Sequence, residues 1–578
     1  MKYDFTSVID RRGCGSSKWN GAKNASPEFV PLSVADMEFL AAPQIIDAIK
    51  NTAETAVLGY TSATDEFYDA VISWMKRKHD FDVKKEWIVN TPGVVNALGL
   101  LIEASTKPAD SVVILAPVYY PFDMAILAKG RKIVYSELIA QNGTYEIDFD
   151  DLEKKCEMSE IKALIFSNPH NPVGKVWSED ELRKVADICC KNGVFIIDDE
   201  IHHDIIMPGY KHTVTANLGD DVLNNIAVCT APSKTFNLAG LQCSNIIIPN
   251  DNMRAKVNAC ARFALLPTLN IFAYTACTAA YNLCEDWLEE FIGVISENAK
   301  LVEDFMAKHF PEIYVYPLEG TYLQWLDMKN LGMTHVELRE MLEEAGLYLD
   351  YGEMFGPAGR GFQRINLACA KVTLEKALER FKNAVENTRK NRAETGKPYH
   401  KTLAVGDKIE ELNISRKTLL VFSRHYSCKL CQKLLDDFSH VYNDFKAAGC
   451  DIKFIMQSSA EAIAEIQKNY SFELIADPDA LLFDKYNVFE ADSAMRTVTG
   501  DKLFEEAVGT DIHNLLSTEY VSGLSAVLGG AQENPEGIRK NQLCAFIAVD
   551  SESNVIYSYY SKTIGDLPET DEILNKIK

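Results

Sequence analysis

Four apolar runs, each closing on a polar loop, constrain this chain more than any other feature. They are SVVILAP (111–117), ALIFSN (163–168), VFIIDDE (194–200) and NIAVCTA (225–231). Such continuous runs read as strands of a parallel sheet covered on both faces. Amphipathic helical patterns lie between them. In one of these, Ser178 with Glu181 forms a capping box and Gly193 fits the C-terminal stop. The alternation from about residue 85 to 250 predicts an α/β doubly wound layout, with sites at the carboxyl ends of the strands.

At 578 residues the chain exceeds what one hydrophobic core supports, so two or three domains are expected. Residues 285–385 turn to longer helical patterns, such as WLEEFIGVISENAKLVEDFMAKHF, with short strands such as TYLQWLD, which predicts a smaller α+β part. TRKNRAETGKPYHK (388–401) is polar, charged and carries Gly and Pro, so it reads as a linker. A new unit follows: strand TLLVFSR, the CKLC segment, a helix, strand DIKFIMQ, and the late pair CAFIAVD and VIYSYY joined by SESN. The formal charge of -24 argues against nucleic acid or an acidic membrane as a general partner. MKYDFTSVIDRRG lacks the apolar core of a signal peptide, and no apolar run reaches the ~20 residues that span a bilayer, so a cytoplasmic location is expected. Most of the cysteines, such as Cys189 and Cys190, sit in apolar or helical contexts and read as small buried hydrophobes. Cys428 and Cys431 alone have a spacing that suggests chemistry.

Four loops at strand ends carry candidate chemistry. NTPGVVNALG (90–99) passes through a Pro-Gly turn into a helix start, where free N–H groups suit a phosphate. SNPHNPVGKVW (167–177) has two Asn-Pro steps that present amide side chains, able to hydrogen-bond a phenolic oxygen without charge. IIDDEIHHD (196–204) ends an apolar strand on carboxylates, which are costly there unless they meet a cation such as a pyridinium nitrogen. Its histidines read as structural; with Glu200 and Asp204 they give no convincing ligand set, and no metal is expected. TAPSKTFNLAGLQ (230–242) places a lysine among small and polar residues, where burial can free its amine as nucleophile and base.

These segments, in this order, resemble the class I/II aminotransferase superfamily, fold type I of the pyridoxal 5'-phosphate (PLP) enzymes. Within it they resemble the cystathionine β-lyase and maltose-regulon-repressor branch of C–S lyases. VIDRRG, KWN, PLSVADMEF (31–39), LGYTS (58–62), APVYYPF (116–122) and GRGFQRINLAC (359–369) extend the resemblance over about residues 1–390. It implies a large α/β part with a mainly parallel sheet over about 51–284, and a small α+β part from about 1–50 and 285–390. A linker at 391–402 follows.

The resemblance also implies roles. Lys234 holds the cofactor as a Schiff base and removes the substrate Cα proton. Asp199 pairs with the pyridinium nitrogen, Asn171 with the ring 3'-oxygen, and Tyr119 stacks on the ring. Backbone groups of Val94 and Val95, with Ser233, hold the phosphate, and His202 joins the cofactor-binding set. Tyr60 reaches the phosphate of a second subunit, which implies a homodimer with shared sites. Arg364 clamps the substrate α-carboxylate, a task suited to a guanidinium. Ala231 stands where serine is usual, so a phosphate hydroxyl is missing unless Thr230 or Ser233 replaces it. Ser33, Cys14 and Asn20 also depart from the branch pattern.

The activity implied is α,β-elimination from a sulfur amino acid such as cystathionine or a cysteine S-conjugate, giving a thiol, pyruvate and ammonia. The motifs serve an aminotransferase equally well, because the two reactions diverge only after the Cα proton has left. A third reading is a regulatory protein-binding module that retains PLP. In the last unit, CKLC at a helix start has its thiolate favoured by the helix field and by Arg424 and Lys429. Residues 403–578 resemble the thioredoxin fold, nearest the AhpC/TSA redoxins, which implies Cys428 as nucleophile and Cys431 as resolving thiol. His425 and Val421 replace residues usual there, and Cys544 falls near the position of the usual cis-proline.

Overall fold

The computed structural model describes residues 2–20, 29–55, 57–141, 143–333, 335–395, 408–409, 412, 414–425, 429–478, 480–486, 488, 544–561, 568 and 570–577. The chain divides into two compact units. One comprises Met1–Leu331 with Leu338–Asn391, the other Gly332–Glu337 with Arg392–Lys578.

A seven-stranded sheet organises the first unit. Its strands are Ile88–Thr91 (β1), Ser111–Ala116 (β2), Lys132–Glu137 (β3), Ile161–Ser167 (β4), Phe195–Asp199 (β5), Ile226–Thr230 (β6) and Ser244–Ile247 (β7). They lie in the order β1-β7-β6-β5-β4-β2-β3. β2 pairs in parallel with β3 and β4, β4 with β5, and β5 with β6. β7 runs antiparallel to both its neighbours, β6 and β1. Every residue of β2, β5 and β6 is buried, which is why those runs are apolar without alternation.

Helices cover the sheet. Asp65–His79 (α1) opens with Thr64, whose hydroxyl accepts from the Phe67 N–H. Val94–Ser105 (α2) packs Ala97, Leu98, Leu101 and Ile102 into the core beneath the strands. Glu179–Asn192 (α3) carries both halves of the expected capping box, and Gly193 closes it at φ 65, a left-handed turn that suits glycine. Pro232–Thr235 (α4) is a single turn carrying Lys234.

The smaller part of this unit holds Tyr314–Val315 (β8), Leu323–Asp327 (β9), Asp350–Tyr351 (β10) and Phe362–Asn366 (β11), antiparallel in the order β8-β9-β11-β10. Two long helices accompany it, Glu285–His309 (α5) and Lys371–Thr395 (α6). α6 runs into the segment read as a linker. The residues Arg389 to Thr395 contain good helix formers and no Gly or Pro, so nothing stops the helix before Gly396.

The second unit has strands Thr418–Ser423 (β12), Asp451–Met456 (β13), Glu473–Ala476 (β14), Ala545–Val549 (β15) and Val555–Tyr560 (β16), in the order β14-β13-β12-β15-β16. β12, β13 and β14 are parallel, and β15 runs antiparallel to β12 and β16. Alternate residues of β12 face opposite cores, Leu419 and Val421 one, Leu420 and Phe422 the other. Lys429–Ala447 (α7) supplies Leu435, Phe438 and Phe445 to the first of these. Among the described residues no helix is long and apolar enough to cross a membrane.

Candidate active site

Loops leave the carboxyl ends of β2, β4, β5 and β6, and Tyr119, Asn171, Asp199 and Lys234 from them gather around Arg364. At the end of β6 the chain turns into α4 and lifts Lys234, whose ε-amine donates to the Ala35 carbonyl at 2.6 Å. The Tyr322 hydroxyl donates to the same carbonyl at 2.9 Å. Burial, with Arg364 nearby, lowers the Lys234 ammonium to about 8. A lysine so placed is partly uncharged near neutral pH and can serve as nucleophile or base.

Ala35 belongs to PLSVADMEF, and neighbouring motifs hold that segment in place. The Asn237 amide accepts from Met37 N–H at 3.0 Å and donates to the Met37 and Phe39 carbonyls. Arg11 bridges Asp36 and Glu38, Lys18 Nζ lies 3.0 Å from Glu38, and the Trp19 indole donates to Glu38. Thus VIDRRG, KWN and SKTFNLAG share one physical task. They fix the carbonyl on which the lysine rests.

Asp199 ends β5, buried, with Oδ1 accepting from the Ile201 N–H at 3.2 Å. Burial pushes its carboxyl up to about 7. The desolvated carboxylate would be offset by a cation held against it. His202, three residues on, is buried, and burial with Lys234 and Arg364 nearby lowers it well below the ordinary histidine range. It is a neutral hydrogen-bonding group here.

Arg364 lies on β11, buried, with its guanidinium 4.6 Å over the Phe355 ring. Nε donates to Asp350 Oδ2 at 3.1 Å and Nη2 donates to the same oxygen. Nη1 donates to Asn171 Oδ1 at 2.7 Å. The two groups expected to hold a substrate carboxylate and a ring oxygen therefore touch each other. Asn168, the other amide of that loop, turns away and donates to the Thr213 carbonyl and Thr215.

At the end of β1, Gly93 adopts φ 92 and gives α2 no side-chain cap. The first N–H groups of the helix, those of Val94 and Val95, have no intrahelical acceptor, an arrangement that suits an anion. Ser233 stands partly exposed at the start of α4. The Thr230 hydroxyl is committed elsewhere, donating to the Asn245 carbonyl at 2.9 Å, so it does not replace the serine missing at Ala231. Tyr119, after β2, is partly buried, and burial with Tyr120 nearby keeps its phenol well above the usual range. The donor set and carboxylate together suit a phosphate-bearing ring with a cationic nitrogen.

Tyr60 stands apart from the cleft, fully exposed beside Val57 at 93% and Leu58 at 65%. Ser33 is partly buried and Cys14 exposed; the side chain of Asn20 lies outside the described residues. Cys428 also lies outside them, while Cys431 is buried in the same core cluster as Cys544. Ala35, Tyr322 and Asp350 were not expected from sequence. A backbone carbonyl leaves no residue signature, and Asp350 meets Arg364 only through the β10–β11 register.

The aminotransferase class I and II family model matches residues 27–381, and the AhpC/TSA family model matches residues 404–502. Cystathionine beta-lyase PatB of Bacillus subtilis is 40% identical over 385 residues, 66% of this chain and 100% of its own. The crystal structure of cystalysin from Treponema denticola, which contains a pyridoxal 5'-phosphate cofactor, superposes with a TM-score of 0.66 at 43% identity, covering 67% of this chain and 100% of that one. A PLP-bound C-S lyase from Staphylococcus hominis, in its external aldimine form with L-cycloserine, gives 0.62 at 33% identity, over 67% and 98%. The first unit thus has the fold type I architecture and the second a thioredoxin-like one, as the sequence resemblance implied.

Proposed function

Because this chain belongs to the aminotransferase class I and II family, we propose that it is a PLP-dependent carbon–sulfur β-lyase acting on a cystathionine-like or S-conjugated cysteine. The reaction releases a thiol, pyruvate and ammonia. The observation that carries the reading is the half-buried Lys234 amine on the Ala35 carbonyl, close to the buried Asp199 and Arg364. The lyase assignment over the aminotransferase one draws on full-length similarity to proteins named for that activity.

When bound, the cofactor supplies an electron sink that stabilises negative charge at the substrate Cα. Lys234 would hold the cofactor through its ε-amine, and as a neutral amine it would take the substrate Cα proton. Asp199 would hold the ring nitrogen in its protonated form, since a cation there would relieve the desolvation of its own carboxylate. Asn171 and His202 are neutral hydrogen-bonding groups for the ring edge. Val94 and Val95 N–H groups and Ser233 take the phosphate. Arg364 receives the substrate carboxylate, exchanging its contact with Asn171 for one with the ligand. Tyr119 stays protonated across physiological pH and can donate to the departing sulfur. The carbon skeleton left after the thiol departs hydrolyses to pyruvate and ammonia.

We also propose a homodimer with shared sites. Val57, Leu58 and Tyr60 form an exposed apolar stretch, and exposed apolar patches mark association surfaces. Tyr60 of one subunit then completes the phosphate site of the other. A cytoplasmic location accords with the free thiols of Cys156, Cys189, Cys229, Cys243 and Cys277 in the first unit. A dithiol role for Cys428 and Cys431 in the second unit accords with its AhpC/TSA match.

The test separates elimination from transamination. Holoprotein is given an S-substituted cysteine with and without a 2-oxo acid acceptor. Pyruvate formed without acceptor supports the lyase. Acceptor-dependent formation of a keto acid with its C–S bond intact would reassign the chain as an aminotransferase.

A further inference from the structure

Asp204 closes the IIDDEIHHD segment, five residues beyond Asp199, and its side chain is buried. A carboxylate in that position is costly unless donors meet it. Three do. The Thr235 hydroxyl donates to Oδ2 at 2.7 Å, and the Trp74 indole donates to Oδ1 at 3.0 Å. His79 Nε2 lies 2.7 Å from that same Oδ1. Trp74 and Thr235 are buried as well. Hydrogen bonds to an ionised acceptor are the stronger kind.

The donors come from two places that the sequence keeps far apart. Trp74 and His79 belong to α1, whereas Thr235 follows Lys234 in the single turn α4. One turn of helix does not hold its own geometry, because nucleation fixes several residues for one hydrogen bond. Ala231 gives this turn no side-chain cap. Its anchorage therefore comes from outside.

A second contact grips the same turn. Phe236 is buried, and its ring meets the Trp74 indole edge-on at 5.7 Å. Contacts run from Asp204 to Thr235, from Phe236 to Trp74, and from Trp74 back to Asp204, which closes a ring of four side chains. His203, the residue before Asp204, stacks on His79 at 4.0 Å and steadies that donor. Asn237, next in the chain, holds the segment that carries Ala35. The three residues after Lys234 are thus tied to the Asp199 loop, to α1 and to the segment under the lysine amine.

We propose that Asp204 is a positioning residue for Lys234. Through the Thr235 hydroxyl it fixes the turn relative to Asp199, so that the ε-amine meets the cofactor aldehyde and the substrate Cα in line. This rests on the reading of Lys234 as the group that holds the cofactor and moves the proton. A misplacement of about 1 Å in such a group costs up to ~100-fold in rate.

Thr235→Val keeps the shape of the side chain and removes the donor, leaving Asp204 with Trp74 and His79. Thr235→Ser keeps the donor. Two quantities are measured on the full-length protein. One is the rate at which apoprotein captures PLP, followed by absorbance; the other is kcat and KM for pyruvate release from L-cystathionine by the loaded protein. Thr235→Val is expected to slow capture and lower kcat by ~10–100-fold with KM within about twofold, and Thr235→Ser to recover most of both. Asp204→Asn should reproduce the losses, and adding Thr235→Val to it should change little further, because the two act through one contact. Capture and kcat within about twofold of the unsubstituted values in Thr235→Val, at any thermal midpoint, overturn the proposal. So do losses that add in full in the double variant, or a Thr235→Ser protein as impaired as Thr235→Val. If Asp204→Asn does not fold, the two Thr235 variants decide. An unsubstituted protein that releases no pyruvate contradicts the lyase reading, while its capture rates against those of the variants still test the contact.

Discussion

Asp350 and Arg364 stand opposite each other in the β10–β11 register, and one oxygen of Asp350 accepts from both Nε and Nη2 of Arg364. Its other oxygen accepts from the Val34 N–H at 3.2 Å. Asp350 therefore joins the arginine to the segment that carries Ala35, and with it to the carbonyl under Lys234. A buried cation so held presents only its remaining edge to a ligand.

Removing that support should misplace the clamp. Asp350→Ala leaves a buried guanidinium without its counterion, a change that costs about 3–5 kcal/mol. A lower thermal midpoint is expected. Asp350→Asn keeps the shape and one acceptor, so it should fold, with KM for the amino acid raised ~10-fold and kcat altered less. Steady-state kinetics on Asp350→Asn check this; an unchanged KM would remove Asp350 from carboxylate binding.

Loading of the apoprotein should follow the protonation of Lys234. Capture of the cofactor aldehyde needs the neutral amine, and the ammonium sits at about 8. The rate of loading should climb ~10-fold per pH unit below that value and level above it. Stopped-flow absorbance at a series of pH values gives the profile. A rate still climbing through pH 10 would mean an ordinary lysine.

Asp199 links stability to pH with a definite sign. Its carboxyl is raised from 3.8 to about 7, so the folded apoprotein binds its proton more tightly than the unfolded chain does. This contribution is complete below about pH 4 and is lost as pH rises through about 7. Relative to Asp199→Asn, the apoprotein should lose thermal stability across that window. Cofactor loading should reduce the loss, because the ring cation favours the carboxylate. Parallel slopes for the two apoproteins would contradict it.

The phosphate site offers a contrast between two hydroxyls. Ser233 is free to serve a phosphate, whereas Thr230 is spent on the Asn245 carbonyl. A hydrogen bond to a charged group contributes roughly 1.5–3 kcal/mol, so Ser233→Ala should weaken PLP binding ~10–100-fold. Thr230→Val should lower stability and leave the affinity nearly unchanged. Equilibrium PLP titrations of the two variants distinguish them.

Elements that satisfy themselves locally were legible in the sequence. The buried runs of β2, β4, β5 and β6, the Ser178 and Glu181 capping box and the Gly193 stop all declare themselves within a few residues. So did Lys234, Asp199, Asn171 and Arg364 as a group, because each sits in a motif at or near a strand end. What escaped depends on partners far along the chain. β7 is short and antiparallel, and only its pairing with β1 and β6 makes it a strand. Ala35 acts through its carbonyl, and Asp350 through strand register. Arg364 and Asn171 were legible singly, but their contact across the cleft was not.

The most direct test of the account is the fate of L-cystathionine on the PLP-loaded protein, beside Lys234→Ala loaded under the same conditions. The account predicts pyruvate and homocysteine in equal amounts from the unsubstituted protein, with at least a ~1000-fold loss in the variant, as expected when the group that moves the proton is removed. Pyruvate release that survives Lys234→Ala, or turnover that leaves the C–S bond intact, would contradict it.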